Sequence, residues 1–90
     1  MVAWDEPKRR ANLTRHGLDF AAFEDCFSFD RFKAYAAKPS RTGRPRYTLV
    51  GLWNGDLVVA AIVSPLGSEA VSLVSLRPAS KPERNAYGQT

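Results

Sequence analysis

The sequence predicts an α+β fold with two N-terminal helices, an antiparallel β-sheet of three to four strands and a short C-terminal helix. Helix-type spacing and capping residues occupy the two ends of the chain, whereas apolar, β-branched runs separated by turn residues fill the middle. The chain has 90 residues, of which 44% are hydrophobic. This length and composition predict a single folded domain over residues 1–90 and exclude a generically disordered chain.

Two helices are predicted before the sheet. Asp5 is a suitable N-cap for a first helix over residues 6–16, and Gly17 favours the left-handed conformation that ends it. Asp19 is a suitable cap for a second helix. Aromatic residues recur in that segment at positions i, i+3 and i+7, which is typical of a core-facing helical stripe. They are Phe20, Phe23 and Phe27.

Three strands are predicted in the middle of the chain. Residues 47–53 and 57–63 flank Asn54-Gly55, the dipeptide typical of a type I′ hairpin turn. A looser turn over residues 64–68 then leads to a third strand over residues 70–76. Because each connection is a hairpin, we expect these strands to be antiparallel neighbours.

The cations at the ends of these strands are expected to be far apart. Arg46 begins the first strand and Arg77 follows the third, so the two arginines belong to opposite ends of the sheet. Strict alternation of side chains also predicts that Arg77 shares a face with Val71 and Leu73.

Positive charge is concentrated around the predicted sheet. The chain carries 13 Lys and Arg against 9 Asp and Glu, a formal net charge of +4. Residues 31–46 contain six cations and no acid, whereas residues 47–76 contain no Lys or Arg. We expect residues 30–45 to form a short edge strand or extended segment that leads into a basic loop. A neutral sheet with a basic rim suits an anionic partner, either nucleic acid or an acidic protein segment.

A capping box predicts the C-terminal helix. Ser80 and Glu83 have the spacing in which each side chain caps the other's backbone N–H, and the helix they open extends through Tyr87. Arg77, Arg84 and Tyr87 together resemble groups that bind a phosphate and stack a base in RNA-binding proteins. The structural alternative is an ion pair between Arg77 and Glu83, with Tyr87 as a core anchor. The sequence leaves both interpretations open.

The first helix carries a polar stripe that includes the only histidine of the chain. Lys8, Asn12 and His16 are spaced at i, i+4 and i+8, so they share one helix face that could line a site. The spacing alone favours a structural interpretation, with Lys8 solvated and His16 placed favourably at the helix C-terminus. One histidine and one cysteine, Cys26, fall short of the usual ligand set of a metal site. We therefore expect no metal and no cofactor.

Two motifs resemble those of the BrnT-type toxins of bacterial toxin–antitoxin systems. The N-terminal motif has the family spacing W-D-x-x-K-x-x-x-N-x-x-x-H-G-x-x-F and runs here from Trp4 to Phe20. The C-terminal motif S-A-R-x-A-x-x-x-E-R-x-x-Y runs from Ser75 to Tyr87, with Leu76 in place of the family's alanine. Between them, an R-[FY]-x-x-x-G strand is matched by Arg46, Tyr47 and Gly51.

The resemblance implies a RelE-like fold and an endoribonuclease that inhibits translation. It also implies a BrnA-type antitoxin with a ribbon-helix-helix domain, in a hetero-oligomer such as a 2:2 complex that contacts operator DNA only through the antitoxin. We expect a metal-independent cleavage of RNA, in which a base activates the ribose 2′-hydroxyl and cations stabilise the charge that develops on the phosphate. The alternative is a catalytically weak or inactive module that binds the antitoxin and acts mainly as a transcriptional co-repressor. Because no export signal or membrane-spanning run is present in the sequence, a cytoplasmic protein without membrane contact is expected.

The resemblance also points to site residues. The expected catalytic residues are His16, Arg77, Glu83 and Tyr87, with His16 or Glu83 as the base. The expected RNA- and phosphate-binding residues are Lys8, Asn12, Arg46 and Arg84. Two positions depart from the family pattern: Arg44 precedes the strand motif where an acid is common, and Leu66 occupies a place where arginine is common.

Overall fold

A computed structural model describes residues 1–88 of the chain as a five-stranded sheet with helices packed on it. The elements in chain order are β1 (Val2–Trp4), α1 (Glu6–His16), a 3₁₀ turn (Phe20–Ala22), α2 (Phe23–Cys26), β2 (Phe27–Ala37), β3 (Arg46–Trp53), β4 (Leu57–Leu66), β5 (Ala70–Pro78) and α3 (Lys81–Gly88). The α+β class is confirmed, and the last two residues of the predicted domain lie outside the described part. No helix within residues 1–88 is long and apolar enough to cross a membrane.

The sheet is mixed and has five strands in the order β1-β5-β4-β3-β2, whereas an antiparallel sheet of three to four strands was predicted. β1 pairs in parallel with β5, and every other neighbouring pair is antiparallel. No sequence signal marks β1, because a strand of three residues is too short to show a period. β2 is an edge strand of 11 residues, longer than the short edge segment that was predicted.

α1 begins and ends where the capping residues predicted. The Asp5 side chain accepts a hydrogen bond from the backbone N–H of Lys8. Gly17 is in the left-handed conformation with φ 72°, and its N–H donates to the Leu13 carbonyl oxygen. Both predicted boundaries of the first helix are therefore confirmed.

The predicted second helix is wrong in extent. Phe20 lies in the 3₁₀ turn, Phe23 begins the four-residue α2, and Phe27 begins β2. All three rings are buried, so their predicted role in the core is confirmed. The Phe27 ring lies against Gly51 on the neighbouring strand, where an added Cβ atom would come within 2.7 Å of the ring. Phe27 is thus part of the sheet and not of the helical segment, because its ring is buried against the neighbouring strand. Gly51, which has no side chain, leaves space for the ring.

One predicted hairpin turn is confirmed and the other is displaced. Asn54 and Gly55 have φ of 53° and 78°, and a type I′ turn requires positive φ at both positions. β4 continues to Leu66 because its pairing with β5 extends to the Leu66–Ala70 pair. The second turn therefore lies at residues 67–69 instead of 64–68.

β5 carries a bulge at Val74. The register with β4 shifts at this point, and Val74 is an extra residue between the paired positions Leu73 and Ser75. The extra residue inverts the alternation of side chains, so Leu73 and Leu76 both face the core. The predicted shared face of Arg77 with Leu73 is therefore wrong, and Arg77 lies on the opposite face.

The two faces of the sheet have different coverings. The core face is packed against the aromatic segment 18–27, and its buried strand residues are Trp53, Val59, Ala61, Val63, Leu73 and Leu76. The opposite face, here called the cleft face, is covered only in part. There Tyr87 of α3 and Ala79, two residues before this helix, pack against Val50 and Ala60.

A buried asparagine attaches α1 to the edge of the sheet. β1 ends opposite Leu73, so the outer edge of β5 has no strand neighbour at Leu76. Asn12 fills this place: its Nδ2 donates to the Leu76 carbonyl oxygen at 2.7 Å, and its Oδ1 accepts from the Leu76 N–H at 3.1 Å. Nδ2 also donates to the Leu18 carbonyl oxygen at 3.0 Å. The side-chain amide therefore continues the β-ladder that β1 begins.

Replacement Asn12→Ala is expected to lower the free energy of unfolding by about 2–4 kcal/mol, because buried backbone groups of Leu76 and Leu18 lose their partners. Urea unfolding followed by circular dichroism measures the change. Thr14→Ala, at an exposed position of the same helix, is the control and should stay within about 0.5 kcal/mol of wild type. Equal stability of the two variants would contradict the role given to Asn12.

Candidate functional site

An open basic cleft lies where α1 meets the cleft face. It consists of two adjoining pockets of about 790 and 230 Å³ that share Lys8, Arg46 and Val74. Five cations and no carboxylate line the basic cleft among the described residues: Lys8, Arg10, Arg15, Arg44 and Arg46. Within residues 1–88, none of these side chains forms a salt bridge. The basic cleft is therefore a region of uncompensated positive charge.

Three parts of the fold position these cations. Lys8 lies in the first half of α1, and Arg46 is the first residue of β3. Arg44 lies in the loop between β2 and β3, whose end is fixed to the sheet by the buried Ser64. The Ser64 hydroxyl donates to the Pro45 carbonyl oxygen at 2.7 Å. The loop cation is thus held at the mouth of the cleft next to the strand cation.

An ion pair lies further along the cleft face. Arg77 Nη1 is 2.7 Å from Glu83 Oε1, and Arg77 Nη2 is 3.0 Å from Glu83 Oε2. The Ser80 N–H donates to Glu83 Oε1 at 2.8 Å, and the Ser80 hydroxyl accepts from the Glu83 N–H at 3.4 Å, so the predicted capping box is confirmed.

This pairing shifts the pKa of both side chains. The hydrogen bond from Arg77 lowers the pKa of Glu83 to about 2, and the same bond raises the pKa of Arg77. Glu83 is therefore a weak proton acceptor near neutral pH.

Tyr87 anchors α3 in the core. Its side chain is only 5% exposed, and its hydroxyl donates to the Arg31 carbonyl oxygen at 3.1 Å. The Arg31 guanidinium lies 5.6 Å from the centre of the Tyr87 ring. Arg84 donates to the Ala79 carbonyl oxygen at 2.8 Å. The structural alternative predicted for this segment, an ion pair and a core anchor, is confirmed.

Asn12 lines the basic cleft but has no donor left for a ligand. Its amide group has two N–H bonds, which are directed at the carbonyl oxygens of Leu18 and Leu76. The structure therefore gives Asn12 a role in holding the wall of the cleft, and the predicted phosphate contact has no free N–H to form it.

The predicted site residues do not all lie in one site. Lys8 and Arg46 share the basic cleft, whereas Arg77 shares a cross-strand row with Ala60 and Val50. Since Val50 is four residues beyond Arg46 on β3, the two arginines are about 13 Å apart along the strand direction and two strands apart across the sheet. They lie on the same face but, as predicted, towards opposite ends of it.

His16, the last residue of α1, lies towards the end of β5 that carries the ion pair. α1 runs alongside β5, with its first half near Val74 and Asn12 level with Leu76. Four residues of helix rise about 6 Å, as much as two residues of strand, so the half-buried His16 comes level with Pro78. His16 is not among the residues that line the basic cleft.

Sequence reasoning missed three cations of the basic cleft: Arg10, Arg15 and Arg44. A signal for Arg15 was present, because it follows Lys8 at i+7 and so lies on the same side of α1. Arg44 stood out only as a departure from the family pattern. Its place in the cleft depends on the fold of a loop, which no periodicity describes.

The part of the chain that the structure describes contains no group of three or more His, Cys, Asp or Glu residues that could hold a metal ion. The cysteine, Cys26, is half-buried and free. Independence from metals stays a prediction.

A known protein family shares the motifs and the fold of this chain. The family model for the ribonuclease toxin BrnT of type II toxin–antitoxin systems matches residues 4–83. The crystal structure of the Brucella abortus ribonuclease toxin BrnT is similar, with a TM-score of 0.71 and 41% sequence identity, over 89% of this chain and 96% of that chain. No curated protein matches this chain. Together, the family match and the structural similarity show that the chain belongs to the BrnT family of ribonuclease toxins of type II toxin–antitoxin systems.

Proposed function

We propose that the chain is a metal-independent endoribonuclease that cleaves RNA through the ribose 2′-hydroxyl and thereby inhibits translation. The observation that carries this proposal is the basic cleft, with five cations and no carboxylate among its described lining residues. Such a surface attracts the polyanionic backbone of RNA. Because these cations form no salt bridges within residues 1–88, a phosphate does not have to displace a carboxylate from them.

The reaction requires a base near the 2′-hydroxyl and a cation near the adjacent phosphate. The base removes the 2′ proton, the 2′-oxygen bonds to phosphorus, and the bond from phosphorus to the 5′-oxygen breaks. The leaving oxygen takes up a proton, so the products are a 2′,3′-cyclic phosphate and a 5′-hydroxyl. Cations at the phosphate lower the barrier because negative charge increases there in the transition state.

In this proposal His16 is the base and Arg77 is the cation at the reacting phosphate. Both lie towards the same end of β5. Glu83, the other predicted base, is a weak one because its pKa is lowered to about 2. Its two hydrogen bonds to Arg77 suit a positioning role, since they fix the plane of the guanidinium group. Phosphates further along the RNA strand contact the cleft cations Lys8 and Arg46.

Three other predicted site residues act through the fold in this proposal. They direct their polar side-chain atoms at backbone groups and so hold α1 or α3 in place. They are Asn12, Arg84 and Tyr87.

A ribonuclease toxin of a type II system implies an antitoxin partner and an RNA substrate. The proposal includes a BrnA-type antitoxin with a ribbon-helix-helix domain, in a hetero-oligomer such as a 2:2 complex. Operator DNA is contacted only through that antitoxin, and the toxin acts in the cytoplasm. The RelE-like relationship that the sequence motifs imply is part of the same proposal.

The two departures from the family pattern do not weaken this proposal. Arg44 lines the basic cleft, so a cation replaces an acid at a position that faces RNA. Leu66 is exposed at the end of β4 and is not among the residues that line the basic cleft.

Purified protein without antitoxin is expected to cleave single-stranded RNA in the presence of EDTA and to leave 2′,3′-cyclic phosphate ends. His16→Ala is expected to lower the rate by about 10²–10⁴-fold, the range for loss of a general base. Gel electrophoresis and end-group analysis measure both effects, and RNA with a 2′-deoxyribose at the cleavage position is the negative control. Intact RNA with the wild-type protein in EDTA would contradict the proposal.

Replacement Arg46→Ala is expected to weaken RNA binding by about tenfold, because one charge-assisted phosphate contact is lost. The slope of log affinity against log salt should also become shallower by about 0.7. Filter binding at several salt concentrations measures both quantities. The control is Arg41→Ala, which also removes one positive charge, but from a loop residue that does not line the basic cleft. This variant should change the RNA affinity and the salt slope little. Equal effects of the two variants would mean that net charge alone attracts RNA.

Replacement Glu83→Gln keeps a capping-box residue but removes the charge that pairs with Arg77. The folded pKa of about 2 lies below the ordinary value of 4.5, so the pair stabilises the fold above pH 4.5 and this stabilisation is lost as the pH falls towards 2. At pH 7 we expect a loss of about 1–2 kcal/mol in the free energy of unfolding, a range that allows for solvent screening of this partly exposed pair.

Urea unfolding from neutral pH down to about pH 3 should show the gap between wild type and Glu83→Gln closing. The control is Asp56→Asn, which removes an exposed carboxylate in a hairpin turn that forms no ion pair within residues 1–88. A gap for Glu83→Gln that is constant with pH would show that packing, and not the ion pair, causes the loss.

A further inference from the structure

A small pocket lies on the cleft face beside the ion pair, and of its lining residues only Glu83 has a role in the reaction described above. It lies between β2, β3 and α3, has a volume of about 260 Å³ and is lined by Tyr35, Thr48, Pro82, Glu83 and Ala86. Tyr35 is 41% exposed at its rim. An exposed aromatic ring at the edge of an open pocket offers a face on which a planar group can stack.

A cross-strand row connects this pocket to the basic cleft. Tyr35 pairs with Thr48, Thr48 pairs with Ile62, and Ile62 pairs with Ser75. The first two residues line the pocket, and Ser75 lines the basic cleft. Neighbouring strands are about 4.8 Å apart, so the row measures about 14 Å from β2 to β5. An extended ligand that crosses the sheet along this row contacts both the small pocket and the basic cleft.

The walls of the pocket suit a flat ring with polar edges. Pro82 and Ala86, one helical turn apart on α3, supply apolar atoms, and Thr48 supplies a hydroxyl group. Glu83 supplies a carboxylate whose Oε1 accepts two hydrogen bonds and whose Oε2 accepts only one from the described residues. Oε2 therefore retains the capacity to accept a further N–H.

We propose that this pocket binds one nucleobase of the RNA strand, stacked on Tyr35 and hydrogen-bonded at its edge to Thr48 and Glu83. The inference rests on the proposed ribonuclease function and adds a base-selecting subsite to it. Every base has a face that stacks on an aromatic ring, so stacking supplies affinity. The carboxylate supplies selectivity, because it favours a base that presents an N–H at the Glu83 side.

Binding of a single-stranded RNA oligonucleotide with 2′-O-methyl riboses tests the pocket without cleavage. Fluorescence anisotropy compares the wild type with Tyr35→Ala and with Tyr47→Ala. Tyr47 is a matched control, because it is 39% exposed on the neighbouring strand but lies on the core-face side of the sheet. We expect Tyr35→Ala to weaken binding by roughly 5- to 100-fold, the range for loss of one stacked base, and Tyr47→Ala to leave it unchanged. Tyr35→Phe retains the ring and should retain the affinity.

An abasic residue placed at each position of the oligonucleotide in turn identifies the bound base. In the wild type and in Tyr47→Ala, one position should show a loss of affinity. In Tyr35→Ala the same abasic substitution should cause no further loss, because the stacking partner of that base is already absent.

The outcomes separate this inference from the proposed function. If the wild type cleaves RNA but the abasic scan is the same for all variants, the base pocket is overturned and the ribonuclease stands. If the scan shows one Tyr35-dependent position but natural RNA stays intact in EDTA, the base pocket stands and the proposed function fails. If Tyr35→Ala loses affinity for the antitoxin and keeps its affinity for RNA, the pocket belongs to the protein partner and the inference is overturned.

Discussion

The fold depends on how the outer edge of β5 is satisfied. β1 covers that edge for only three residue pairs, and beyond it the backbone groups of Leu76 require another partner. The Asn12 amide supplies a donor and an acceptor together, as a neighbouring strand would. Because Asn12 lies in the middle of α1, these bonds set the depth and direction of the helix against the sheet. Lys8 and Arg15 form a wall of the basic cleft for this reason.

Some cations of the cleft face are paired with a carboxylate, and others are not. Near α3, Glu83 neutralises Arg77 and fixes its orientation through two parallel hydrogen bonds. At the other end, Lys8 and Arg46 have no carboxylate partner among the described residues. Unpaired cations attract a polyanion over about a Debye length, whereas an oriented guanidinium acts only at contact distance. In the proposed enzyme, attraction of RNA and orientation of its reacting phosphate are thus divided between the two ends.

Local signals predicted those elements whose boundaries depend on a few neighbouring residues. Asp5, Gly17 and Asn54-Gly55 specify caps and a turn through their own backbone preferences, and the structure confirms each of them. The extent of the second helix depended instead on a distant contact, the packing of the Phe27 ring against Gly51. The candidate site was predicted only in part for the same reason. Lys8 and Arg46 follow from the family motif, whereas Arg44 and Tyr35 come to the cleft face through loop geometry and the register of an edge strand.

The bulge at Val74 links the number of residues in β5 to the face on which its later side chains lie. Deletion of this single residue would restore plain alternation along β5 and keep Ser75 and Arg77 on the cleft face, because only Ser75 would then separate the core residues Leu73 and Leu76. The loop at residues 38–45 follows no such rule, because its residues have no alternating faces. Relatives of this chain can therefore gain or lose single residues before β3, or lose the bulge residue, without loss of the cationic face. In a β5 of unchanged length, the guanidinium stays on that face only while the bulge is kept.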